Sequence, residues 1–235
     1  MLDSHLPTEE IKIMKIENVK RLTTSAIMIA IAMVIAIICD YIPFLNLPFG
    51  GTITIASMLP IIIVSYMFGV KWGLFTSFTY SIIQIIISLT HGASGTVAGL
   101  FLPESGFTVI MGIIIILLDY VAAYTSVGLG GMFRNVIKNK AVSLVLGGTV
   151  ALIICYAFHV LSGAIFYGQW AEWFFTDTIV KDFAISKAIM ENFSGTSLAL
   201  IYSVIYNGCY MIPEIVITAA VGAAVSIIPQ IKKES

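Results

Sequence analysis

The sequence predicts an all-α integral membrane protein of six transmembrane helices, with the N and C termini both cytoplasmic. Three observations predict it. Of 235 residues, 59% are apolar and 11% charged, and the mean hydropathy is +1.01; a soluble domain carries about 25% charged residues. Apolar runs near the roughly 20 residues that a helix needs to cross hydrocarbon recur along the chain. The lysines and arginines fall on alternate connections. A net charge of −1 gives no reason to expect a nucleic-acid partner.

Residues 1–21 carry Lys12, Lys15, Lys20 and Arg21 and read as a cytoplasmic segment. They are too charged for the apolar region of a signal peptide, so the first span is expected to remain as a true helix. The membrane domain covers 22–228, with spans at 22–44, 53–69, 72–89, 107–133, 141–167 and 198–228. The second and third spans are the shortest, and only Val70 and Lys71 separate them, which implies a tight hairpin. Residues 229–235 form a cytoplasmic tail. No internal repeat is visible, which argues against inverted-repeat transporter folds.

The four N-terminal bases, Lys71, Arg134, Lys138, Lys140, Lys232 and Lys233 fall on one side of this scheme, and only Lys181 and Lys187 on the other. An odd span count would destroy that segregation. The connections on the far side, 41–52, 90–106 and 168–197, are long and carry Glu104, Glu172, Asp177, Asp182 and Glu191. They suit either a lid over a pocket or a solvated acidic rim. Cys39, Cys155 and Cys209 lie far apart in apolar runs, so they read as small apolar filler, and neither metal nor cofactor is expected.

Asp119 is the only charge in the fourth run until Arg134. A carboxylate at mid-helix costs roughly 2.5–3.5 kcal/mol on insertion scales, so it marks a ligand, an ion path or a buried partner. The alternative is a structural carboxylate satisfied by neighbouring hydroxyls. Tyr120 follows it, and later spans carry His159, Tyr202, Asn207 and Tyr210. Tyr202, Tyr206 and Tyr210 repeat at four-residue spacing and so share a helix face. Measured from the outer helix ends, these residues fall within an outward-facing pocket about 10–18 Å deep. A carboxylate among aromatic rings suits a small, flat, positively charged ligand. Each element also has a plainer reading. His159 can be an interhelical hydrogen bonder, and Tyr167 and Trp170 can be belt residues. Glu214 can be a further site residue, and more simply can satisfy backbone freed by Pro213 or face the cytoplasmic half. On the first helix Ala26 and Ala30 share one face, and Ala32 and Ala36 share another about 120° away. Such pairs permit close helix approach, most simply within the protein.

Four segments carry a resemblance: GGTITIASMLPIIIVSYMFGVKWGLFTSFTYSIIQ (50–84), LLDYVAAYTSVGLGGMFR (117–134), HVLSGAIFYGQWAEW (159–173) and YSVIYNGCYMIPE (202–214). Together they make the chain resemble the thiamine-specific substrate-binding (S) components of energy-coupling factor (ECF) transporters. The resemblance implies that Asp119 and Tyr120 face the cationic vitamin. It places His159, Tyr202 and Asn207 around the ligand, with Tyr167 at the position of a family aromatic. It implies that Ala26 and Ala30 dock on a transmembrane coupling subunit, which works with two ATPase subunits. Two departures accompany it: Asp119 stands where the family has Glu, and Tyr167 where it typically has Trp. Consistent with a non-enzymatic role, no phosphate-cradling Gly-rich loop followed by Lys-Ser/Thr occurs. Rival readings are an S component for another vitamin or a thiamine precursor, a structural membrane subunit, and an intramembrane hydrolase built from Asp119, His159 and Ser203. The last lacks a GxSxG or HExxH motif.

Overall fold

The computed structural model describes residues 8–47, 51–90, 97–178, 180–229 and 231, with side chains from residue 15 onward. Lys232 and Lys233, and the side chain of Lys12, lie outside the described residues. Among those described there is no β-strand, only an isolated antiparallel bridge between Asn46 and Thr52. Helix α1 runs Thr8–Asp40, α2 Leu59–Phe68, α3 Val70–Thr90, α4 Val109–Gly131 and α5 Lys140–Ser162. The connection after α5 folds into α6, Ala171–Asp177, and α7, Ala184–Asn192, before α8 runs Gly195–Val225. Among the described residues, five stretches are long and apolar enough to cross a membrane: Lys15–Asp40, Val70–Thr90, Val109–Gly131, Lys140–Asp177 and Gly195–Val225.

The second expected span, 53–69, differs from its prediction. Residues 53–58 are not helical, and α2 has only ten residues, about 15 Å of helix, half of a bilayer core. Nine of the ten are buried, Leu59 through Met67, so α2 is wrapped by other helices. Irregular backbone at membrane depth is tolerated where protein or a cavity surrounds it. Ala56 in this stretch has φ +55°, a left-handed conformation costing on the order of 1–3 kcal/mol in a residue with a Cβ.

The α2–α3 turn falls at Gly69, one residue before the expected hairpin, with φ +93° and its N–H bonded to Ser65 O at 2.8 Å. Ser65 then ties α2 to the end of α4: its Oγ donates to Gly128 O at 2.5 Å and accepts from Gly131 N at 2.9 Å. A Cβ on Gly128 would meet the backbone of Gly73 at 2.6 Å, so α3 and α4 touch main chain to main chain there. Arg21 lies over the Phe68 ring at 6.0 Å, and Lys71 and Arg134 line one small cleft beside Gly69. Bases from three connections therefore meet at one end of the bundle, as the charge pattern requires.

Two helices widen at matching points. In α4, Ile116–Ala122 is π-helical, and α5 continues into a π-helical turn, Gly163–Tyr167. Bonding from i to i+5 is rare and recurs at functional sites. Beyond the second turn, Phe174 and Phe175 of α6 and Ile189 of α7 pack on Leu198, Tyr202 and Tyr206 of α8. The outer connection expected as a lid or a rim is thus in part a packed helical pair.

Candidate ligand pocket

The widened stretches of α4 and α5 face α1, α3, α8 and the irregular 51–58 segment across a cavity of about 500 Å³. All seven residues singled out for ligand contact line it: Asp119, Tyr120, His159, Tyr167, Tyr202, Asn207 and Tyr210. The polar floor is built around Asp119. Its Oδ1 accepts from His159 Nδ1 at 2.9 Å, and its Oδ2 from Ser162 Oγ at 2.6 Å. An ionised carboxylate is an acceptor only, so Nδ1 carries the hydrogen of that bond. His159 Nε2 sits 3.6 Å from Cys155 Sγ. Both ring nitrogens are therefore directed at protein groups, and what His159 offers the cavity is its ring. That ring stands edge-on to Tyr124 and Tyr210, with centroids at 6.0 and 5.9 Å.

Asn207 is similarly committed. Its Nδ2 donates to Ser203 O at 2.8 Å, to Ser203 Oγ at 3.0 Å and to His159 O at 3.3 Å, while Oδ1 accepts from Tyr210 Oη at 2.6 Å. It ties α8 to α5 where Gly163 permits close approach: a Cβ there would lie 3.0 Å from Asn207 Nδ2. Tyr120 Oη pairs with Ser88 Oγ at 2.9 Å. Tyr167 packs edge-on to Phe107 at 5.2 Å and beside Trp170 at 5.7 Å. Tyr202, though on the wall, is 1% exposed and lies between Phe174 and Tyr206. The hydrolase set is not assembled: Ser203 Oγ donates to Val160 O at 2.7 Å, and the His159 ring is turned to Asp119 and Cys155.

Glu214 departs from its plainer reading. It lines the same cavity, and its partners are on the 54–58 segment and α8 rather than backbone freed by Pro213. Asp40 lines the cavity too. So do Tyr80, Gln84 and Ser88, which sequence reading missed. Their signal was present: three polar residues at four-residue spacing along an apolar helix share a face. Ala26 and Ala30 are exposed on the outer surface of α1, whereas Ala32 is buried and Ala36 lines the cavity. Internal packing thus describes the second pair of alanines, not the first.

Residues 22–173 match the family model described as thiamine transporter protein. The chain is 30% identical over 210 residues to the thiamine transporter ThiT of Bacillus subtilis (strain 168), covering 86% of this chain and 87% of that protein. Its fold is similar to that of a solved structure of ThiT from Listeria monocytogenes, with a TM-score of 0.59, 15% identity, and coverage of 92% of this chain and 98% of the other.

Proposed function

This chain belongs to the thiamine transporter protein family, and from that premise we propose that it is the thiamine-binding S component of an ECF transporter, capturing the vitamin in the cavity described above. The observation that carries this reading is the charge of the walls. Asp40, Asp119 and Glu214 line the cavity, and among the described residues no lysine or arginine does. Thiamine is a cation of two flat rings, a thiazolium and an aminopyrimidine joined by a methylene. Asp119 supplies the counter-charge, using lone pairs left free by His159 and Ser162. Tyr120, Tyr167, Tyr210 and the His159 ring supply aromatic walls suited to a delocalised cation. Hydroxyls of the tyrosines supply directional bonds to the aminopyrimidine. Mass spectrometry of ligand carried through purification tests the reading: thiamine is expected, and a different vitamin or a precursor would replace it as substrate.

Pumping requires subunits that this chain does not supply: a transmembrane coupling subunit and two ATPases. Ala26 and Ala30, small and outward-facing on α1, are the proposed docking face, since small side chains let helices approach closely in lipid. Ala26→Trp combined with Ala30→Trp should leave thiamine binding to the isolated protein intact and abolish ATP-dependent uptake. Unchanged uptake, or loss of binding, would reject that face. The basic end of the bundle is proposed to face the cytoplasm. In a cysteine-free background, Asp177→Cys should react with a membrane-impermeant thiol reagent in intact cells and Lys138→Cys should not.

A further inference from the structure

We infer that Glu214 is a positioning residue that holds the irregular 54–58 segment in place as a wall of the ligand cavity. The inference rests on the proposed thiamine-binding role and adds to it a residue that need not touch the ligand. Glu214 is 1% exposed in the middle of α8. Its Oε2 accepts from Thr54 Oγ1 at 2.6 Å, and its Oε1 accepts from Met58 N and from Thr218 Oγ1, each at 3.2 Å. Ser57 Oγ extends the network by donating to Thr54 Oγ1 at 2.9 Å.

These contacts answer a specific need. Helix α2 begins in the protein interior, where the donors at its N-terminus must find acceptors. Met58, its N-cap, makes no side-chain cap, and Pro60 contributes no N–H. A carboxyl group from another helix therefore does what a capping side chain does elsewhere: it takes a main-chain N–H at the start of the helix. It also holds a segment that carries the left-handed Ala56, a conformation that persists only where its surroundings fix it.

The segment so held is part of the cavity wall, through Thr54, Ser57 and Met58. A second tie lies further out, where Gly51 N donates to Tyr206 Oη at 3.2 Å. Gly51 rests on the same tyrosine face: a Cβ there would lie 2.9 Å from Tyr210 Cδ1. Both ties run to α8, which also carries Tyr202, Asn207 and Tyr210. The 51–58 wall and the α8 wall are thus fixed in mutual register before ligand arrives, and such preorganisation raises affinity by lowering the ordering cost of binding.

The test uses the full chain in lipid nanodiscs, with Glu214→Ala, Glu214→Gln, Thr54→Val and the double variant Glu214→Ala/Thr54→Val. Thiamine affinity is read by calorimetry, and amide exchange over 52–58 by mass spectrometry on ligand-free protein. Glu214→Ala should weaken thiamine binding by about tenfold or more and speed exchange over 52–58 while leaving α5 unchanged. Thr54→Val should lower affinity in the same direction, and the double variant should bind no worse than Glu214→Ala, because one tie is lost either way. Glu214→Gln keeps the size and one acceptor oxygen, and should recover most of the affinity. Independent losses that multiply in the double variant, with exchange unaltered, would overturn the inference and make Glu214 a direct ligand contact. Unchanged affinity and exchange would overturn it outright. Should Glu214→Ala not fold, Thr54→Val and Glu214→Gln read the same tie. The exchange arm needs no ligand, so failure of the unsubstituted protein to bind thiamine would sink the functional reading while exchange still decides the positioning role.

Discussion

Of the three carboxylates that line the cavity, Asp119 and Glu214 have surroundings that divide their work. Asp119 lies in a π-helical stretch, its side chain 19% exposed, and its partners are two side chains, His159 and Ser162. Glu214 lies in a regular helix, 1% exposed, and takes a main-chain N–H and two threonine hydroxyls from the elements around it. A carboxylate bonded only to side chains, with surface left open, can still meet a cation. One closed around a main-chain amide and hydroxyls is fixing backbone. The difference teaches that a buried acid in a membrane span is assigned by what its oxygens hold, not by depth alone.

Substitution should separate the two roles. The largest effect on affinity is expected at Asp119. Breaking a buried pair costs roughly 3–5 kcal/mol, and partial exposure reduces it, so Asp119→Asn should weaken thiamine binding by about one to three decades in calorimetry while barely moving the thermal midpoint. A variant that loses folding and binding together would make Asp119 a structural carboxylate rather than the counter-charge. The inner half supplies the contrast. Ser65→Ala removes the staple between Gly128 O and Gly131 N, leaving buried polar groups unmatched at about 1–3 kcal/mol. It should lower thermal stability and leave affinity within about twofold. Cys155→Ser should do least: the thiol is a weak partner of His159 Nε2, and a hydroxyl can replace it, so affinity should stay within about threefold. A larger loss would show that the His159 ring depends on sulfur for its placement.

Much of this division was legible in sequence. Five spans, the lone charge at Asp119 and the tyrosine face of α8 follow from apolar runs and four-residue spacing, which report local chemistry directly. The break before α2 was hidden by hydropathy, since Ile53, Ile55 and Ala56 keep the run apolar. Yet Thr52-Ile53-Thr54-Ile55 alternates with period two, the signature of extended chain rather than helix. The π-helical stretches had no such mark, because an i→i+5 register depends on what packs against the helix. The partners of Glu214 were hidden for a similar reason. Its neighbour in sequence is Pro213, but its partner Thr54 is 160 positions away, and no local rule links them.

The most direct test of the central claim compares thiamine with an isosteric analogue carrying a neutral ring in place of the thiazolium, each titrated calorimetrically into the unsubstituted protein and Asp119→Asn. If Asp119 is the counter-charge, the unsubstituted protein prefers thiamine by about tenfold or more, and Asp119→Asn loses that preference while holding the neutral analogue about as tightly as before. Equal losses for both ligands on substitution, with the preference intact, would contradict the account and leave Asp119 a purely structural carboxylate.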